Sequence, residues 1–413
     1  MRIAPRVLGL VVATLLTPLH APTASSGDGP GCAGRRATVA GTSGRDVLRG
    51  TGRSDVIAGG DGRDLILARD GRDLICAGRG RDRARGGPGD DRLLGQDGSD
   101  TLDGDDGDDA IRGGRGADAC FQGSGSGHSE GCVPVVAVAG DIACPPNHES
   151  FNDTHGSAYA CRMRATSDLL LRTNIAAVLA LGDTQYSEGQ LVNYRASYDP
   201  TWGRAKAFTR PVPGNHEYRT EDASGYFTYF GDIAGDPERG YYSFNLGGWH
   251  LVGLNTSVDC KEVGGCSATS PQGRWLAADL AADPARCTLA YWHEPLFSSR
   301  PGGNGEARPF WRTLSEDGGD VVLSGHAHVY ERFSPQTPDG APSDEGIRQF
   351  TVGTGGMDLG PADYVPTVNS IVRQATTFGV LELALRPNGY DWRFVSEQDA
   401  AVPFIDEGSA PCH

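Results

Sequence analysis

The stretch "LALGDTQYSEG", residues 179–189, ends an apolar run in Gly182-Asp183 and places a tyrosine, Tyr186, three positions later. An apolar run closed by a glycine reads as a buried strand and the loop beyond it. In an open α/β sheet the carboxyl end of a strand is where ligands are held. Asp183 is therefore a candidate metal ligand. Tyr186 is either packing or part of the chemistry, and the rest of the chain has to decide.

The same punctuation recurs. "VPVVAVAGD" closes on Gly140-Asp141, "RPVPGNHEY" delivers Asn215 and His216, "LAYWHEP" delivers His293, and "VVLSGHAHVYER" delivers His326 and His328. Helical patterns such as "RATSDLLLRT", "GRWLAADLAAD" and "PFWRTLSEDG" lie between these runs. Strand–helix alternation from residue 133 onward reads as an α/β sandwich, and its loops can converge on one crevice. Two carboxylates, an amide, three or four imidazoles and a phenol suit Fe, Zn or Mn better than Mg²⁺ or Ca²⁺. Seven donors exceed the needs of one ion and suit two that share a bridge, about 3.5–4 Å apart. His20, His128, His148, His155 and His250 lack such a setting and read as structural.

The order GD, GDxxY, GNHE, H, GHxH resembles that of the calcineurin-like metallophosphoesterases, and within them most the purple acid phosphatases, from residue 133 to about 395. The resemblance implies a four-layer αββα sandwich. It implies a dinuclear phosphatase that hydrolyses phosphate monoesters by attack of a metal-bound hydroxide. Residue by residue, it puts Asp141, Asp183, Tyr186 and His328 on one metal, iron, and Asp183, Asn215, His293 and His326 on the other, iron, zinc or manganese, with Asp183 bridging. His216 would act as acid or charge stabiliser, or only hydrogen-bond the phosphate. Glu217, Glu294 and Glu331 either orient imidazoles or are solvated. Two departures matter. The histidine of the general D-x-H opening is replaced by Ala143, so Tyr186 is expected to supply the missing ligand as a phenolate, a hard anion suited to ferric iron. "SSRPGGNGE" lacks a second histidine found in plant-type enzymes, which leaves leaving-group protonation to His216 or water and makes Arg300 a candidate phosphate ligand. Two other readings remain: a phosphodiesterase with the same metals, and a calcium-dependent binding or adhesion protein with a vestigial hydrolase domain.

From 41 to 121 the chain repeats every nine residues, from GTSGRDVLR to GGRGADACF. Aspartate holds the sixth place throughout: Asp46, Asp55, Asp64, Asp73, Asp82, Asp91, Asp100, Asp109 and Asp118. The eighth place is aliphatic or a substitute: Leu48, Ile57, Ile66, Ile75, Ala84, Leu93, Leu102, Ile111 and Cys120. The array resembles the RTX calcium-binding nonapeptide, which implies a parallel β-roll with Ca²⁺ on the aspartates. Paired glycines at the first two places survive only in Gly59-Gly60, Gly86-Gly87 and Gly113-Gly114, and arginine fills the fifth place in four of the first five units. Calcium is therefore expected chiefly in the second half of the array.

Residues 1–24 read as a secretory signal peptide: Arg2 and Arg6 precede "VLGLVVATLLTPL", which is too short to span a bilayer. The expected order is this leader, a lead-in over 25–40, the roll over 41–121, a linker over 122–132 and the phosphoesterase domain over 133–413. Ten cysteines agree with a secreted, extracellular protein. The close pairs Cys120/Cys132, Cys144/Cys161 and Cys260/Cys266 are expected bridges, and Cys32/Cys76 with Cys287/Cys412 would complete the set. With 53 Asp+Glu against 37 Lys+Arg, the net charge of −16 argues against nucleic acid or an anionic membrane as partner. A small phosphate ester is the expected substrate, and cell-surface attachment through the repeats is open.

Overall fold

The structure, a computed structural model, describes residues 31–123, 127–171, 175–301, 303–361 and 364–413. The leader lies outside the described residues.

Each nonapeptide makes a turn and a short strand, and alternate strands belong to opposite sheets. One parallel sheet contains Val56–Ala58, Leu74–Gly80, Arg92–Gly98 and Ala110–Arg115; the other contains Val47–Arg49, Leu65–Leu67, Arg83–Arg85, Thr101–Asp103 and Ala119–Phe121. Register advances by two units per turn, so Leu93 faces Ile75 and Ile111, and Leu102 faces Ala84 and Cys120. The eighth-place side chains from Leu48 to Cys120 form one buried file between the sheets. A file this thin is stable only because each turn buries its neighbour's apolar face. The roll overruns its expected limits. Val39–Ala40 pairs with Val56–Ala58, and His128–Glu130, in the segment expected to be a linker, pairs with Ala110–Arg115. Unpaired edge strands invite further pairing, and both flanking segments supply it.

Beyond Cys132 two mixed sheets stack. The first runs Thr209–Val212, Ile175–Leu181, Val135–Ala139, Gly379–Arg386, Gly389–Ser396, Glu407–Pro411. The second runs Tyr242–Leu246, Trp249–Gly253, Cys287–Tyr291, Val321–Ser324, Arg348–Val352, Tyr330–Phe333, Ser370–Gln374. The central strands are parallel and almost wholly buried, with Ala176 and Arg210 the outward exceptions, which is why most read as apolar runs. Helices Pro271–Ala282 and Arg308–Glu316 cover the far face of the second sheet through Leu276, Leu280, Phe310, Trp311 and Leu314. All five expected disulfides form.

The roll packs onto the C-terminal strands of the first sheet. Ala119 and Phe121 share a core with Val135–Ala139 and Leu383. Arg386 donates to the carbonyl of Asp100 (2.7 Å), to Thr101 Oγ1 (3.1 Å) and to the carbonyl of Ala117. Arg393 pairs with Asp103, and its other terminal nitrogen lies 3.5 Å from Asp105. Among the described residues no helix is long and apolar enough to cross a membrane.

Candidate metal centre

The expected ligands come from five loops at the carboxyl ends of parallel strands, and the fold gathers them. Tyr186 Oη lies 2.8 Å from Asp141 Oδ1, 2.9 Å from Asp183 Oδ2 and 2.9 Å from His328 Nε2. His328 Nε2 is 3.1 Å from Asp141 Oδ1. On the other side of Asp183, His293 Nε2 is 3.3 Å from Asp183 Oδ2, 3.2 Å from Asn215 Oδ1 and 3.2 Å from His326 Nδ1. Asp183 thus stands between two half-sites. Asp141, Asp183, Tyr186 and His293 are buried.

Local backbone conformation aims these groups. Asp141 (φ 60°), Asp183 (φ 46°), His326 (φ 67°) and His328 (φ 50°) all adopt the left-handed region. Non-glycine residues rarely do so, and such conformations concentrate at functional sites. Glycine is required just ahead of the amide ligand: a Cβ on Gly214 would sit 2.3 Å from Asp183 Oδ1.

Electrostatics follow from burial and pairing. Burial alone would raise the Asp183 carboxyl, but the charge and hydrogen bond of His293 outweigh it and hold it well below the usual range. Asp141 is lowered in the same way, with burial opposed chiefly by His328. His328 is pushed up to about 10: burial opposes this, and the Asp141 and Asp358 carboxylates win. Tyr186 is raised by burial and by both aspartates, which share its hydroxyl proton. A dense, mutually paired set of carboxylates, imidazoles and a phenol has the donor chemistry of a hard-to-borderline cation pair, and the residues fit two transition-metal ions.

The surroundings sort the remaining expectations. Glu217 is buried and orients no imidazole; it accepts N–H groups from Asp183 (2.9 Å), Thr184 (2.9 Å), Gln185 (3.2 Å) and Gly214 (2.7 Å), tying two ligand loops together. Glu294 accepts from Thr256 Oγ1 (2.7 Å), and Glu331 accepts from Ser299 and from Ser370 (2.7 Å). The imidazoles have other partners. His293 Nδ1 faces the Leu181 carbonyl (2.8 Å), and His328 Nδ1 pairs with Asp358. Nothing in "GTGGMDLG" marked Asp358, because its role depends on a strand pairing far away in sequence. His216 Nδ1 meets the Ser187 carbonyl at 2.6 Å, and its Nε2 is 3.8 Å from Asp183 Oδ2. An open cleft of about 310 Å³ is lined by Asp183, Asn215, His216, His326, His328, Arg300 and Arg219. Arg219, also unmarked in the sequence, follows His216 by three residues and shares its anchor, the Ser187 carbonyl, at 3.2 Å.

In the roll, the sixth-place aspartates form two columns. Asp73 Oδ1 accepts the N–H of Asp55, Asp91 that of Asp73, and Asp109 that of Asp91; Asp64, Asp82, Asp100 and Asp118 form the second column. The second oxygen, Oδ2, of each of the seven from Asp64 to Asp118 is buried without a hydrogen-bond partner. Burial and the neighbouring carboxylates raise Asp73 and Asp82 to about 6, and Asp91 and Asp100 to about 7. Hard oxygens stacked like this, with Oδ2 left unpartnered, fit Ca²⁺.

The class of protein follows from comparison. Residues 135–330 match the calcineurin-like phosphoesterase family, and residues 49–84 and 85–120 match the RTX calcium-binding nonapeptide repeat. The chain therefore carries a calcineurin-like phosphoesterase domain preceded by RTX repeats. Among curated relatives it is 29% identical over 235 residues to Purple acid phosphatase 15 of Arabidopsis thaliana, covering 48% of this chain and 40% of that protein. It is 32% identical over 131 residues to Purple acid phosphatase 22 of the same plant, covering 30% of this chain and 28% of that protein. This chain thus spans less than half the length of either relative. A purple acid phosphatase from yellow lupin (Lupinus luteus) seeds superposes with a TM-score of 0.54 at 19% identity, covering 68% of this chain and 55% of that one, which shows the shared fold.

Proposed function

We propose that this chain is a secreted, dinuclear metal-dependent phosphatase that hydrolyses phosphate monoesters. The observation that carries the reading is the clustering of Asp141, Asp183, Tyr186, Asn215, His293, His326 and His328, of which Asp183, Asn215, His326 and His328 line one cleft. Asp141, Tyr186 and His328 would hold one ion, Asn215, His293 and His326 the other, and Asp183 would bridge them. When bound, the ions supply Lewis acidity and make water nucleophilic near neutral pH.

The protein's own groups supply the rest. His216 donates its Nδ1–H to the Ser187 carbonyl and keeps Nε2 toward the cleft; Nε2 can donate to a phosphate oxygen or the leaving group only in the imidazolium form, which burial disfavours. Arg300, anchored by one nitrogen to the Ala327 carbonyl (2.7 Å), and Arg219 stand on the rim with donors left for a phosphate dianion. Fixed donors of this kind stabilise charge that develops in the transition state. The disulfides agree with an oxidising destination, and Ca²⁺ on the repeats would hold the roll against the catalytic domain.

Metal analysis with parallel assays of an aryl phosphate monoester and diester tests the reading. About two transition-metal ions per chain and preference for the monoester are expected. Less than about one ion per chain overturns the enzyme reading, and preference for the diester replaces it with a phosphodiesterase.

A further inference from the structure

The first two repeats differ from the other seven in what touches the aspartate. In units 41–49 and 50–58 the second place is threonine. Thr42 gives its backbone N–H (2.7 Å) and its hydroxyl (2.9 Å) to Asp46 Oδ2; Thr51 does the same for Asp55 Oδ2, at 2.7 and 2.8 Å. From the third unit onward the second place holds Gly60, Arg69, Gly78, Gly87, Gln96, Asp105 and Gly114, and all seven have positive φ, between 72° and 118°. In those same seven units the aspartate Oδ2, from Asp64 to Asp118, is buried and has no partner. The two observations match unit for unit. A β-branched residue resists positive φ, so threonine keeps the turn in the other conformation and brings two donors onto the carboxylate.

We propose that the second residue of each repeat decides whether its aspartate takes calcium: Thr42 and Thr51 stand in for the ion, and the calcium sites are built on the seven aspartates from Asp64 to Asp118. Asp46 and Asp55, expected from the repeat phase to bind calcium, are then protein-capped. Asp64, Asp73 and Asp82 bind it although most units of the first half lack paired glycines. The identity of the second residue matters through φ, and Arg69, Gln96 and Asp105 meet that requirement as the glycines do. The threonine-closed head is further held by Thr38, whose hydroxyl reaches Asp55 Oδ1 at 3.0 Å, and by the Cys32–Cys76 bridge. It forms an end from which a parallel array can be built before any ion is bound.

The test is direct calcium counting by equilibrium dialysis on the full-length protein, with folding of each variant checked by circular dichroism in saturating calcium. Asp46→Asn and Asp55→Asn are expected to leave the count unchanged, while Asp73→Asn lowers it. Thr51→Gly, which frees the turn to adopt positive φ, is expected to add an ion; Thr51→Val, still β-branched, is not. Loss of calcium in Asp55→Asn equal to that in Asp73→Asn overturns the proposal, and so does an unchanged count in folded Thr51→Gly.

Discussion

The contact between roll and sandwich gives a sharp energetic test at Arg393. Its side chain is 10% exposed and pairs with Asp103, which is 8% exposed. Burial works against the guanidinium charge, yet the Asp103 and Glu382 carboxylates raise its pKa well above the usual value. Removing one partner of a buried pair strands the other, at a typical cost of about 3–5 kcal/mol. Asp103 keeps another cation, since Arg85 Nε lies 3.1 Å from it, so the cost falls just below that range. Arg393→Met should cost about 2–3 kcal/mol. Adding Asp103→Asn removes the carboxylate that lost its buried partner, and the double variant should regain part of the loss, limited because Arg85 then loses Asp103. The assay is denaturant unfolding in saturating calcium, with roll and sandwich monitored together, at low and at high salt. A buried pair is weakly screened, so the loss should persist at high salt. A cost below about 1 kcal/mol, the range of exposed ion pairs, would refute the reasoning, as would a double variant no more stable than the single one.

Further expectations concern the site and its surroundings. With iron bound, a Tyr186 phenolate should give a visible charge-transfer band that Tyr186→Phe lacks; a colourless iron-loaded wild type returns Tyr186 to packing. Glu217→Gln replaces an oxygen that accepts ligand-loop N–H groups with a donor, and should weaken metal binding about 10–100-fold in a chelator competition while the chain stays folded; unchanged affinity would remove Glu217 from the metal-supporting role. His250, between Asp279 (2.9 Å) and Asp283 (3.3 Å), titrates above its ordinary value: burial lowers it, but these carboxylates outweigh burial. Its folded pKa is raised, so its stabilisation is full below the unfolded value and fades as pH rises through the folded one. The thermal-stability gap between wild type and His250→Gln should therefore be wider at pH 5 than at pH 9, and a gap that widens with pH contradicts the assignment.

The sequence by itself determined the parts whose physics is local. A nine-residue period with aspartate and aliphatic places in constant phase specifies a roll and its core, because each unit repeats one turn and one short strand. Strand-terminal Gly-Asp, Asn-His and His-x-His pairs announced the residues that the fold gathers at one site, since a parallel sheet delivers every strand's carboxyl end to the same edge. The place of Tyr186 among Asp141, Asp183 and His328 was also suggested, by the histidine missing at Ala143. Tertiary structure alone decided the rest. Asp358 and Arg219 reach the site only after distant strands and loops assemble, and Glu217 proved to bind loop N–H groups where an imidazole partner had been possible. Arg386 and Arg393 join two domains across nearly 300 residues of chain, with separations of 286 and 290. Within the repeats, the phase of the aspartates was visible but the calcium boundary was not. That boundary depends on a backbone angle four residues before each carboxylate, and a nine-letter pattern records the residue without recording its φ.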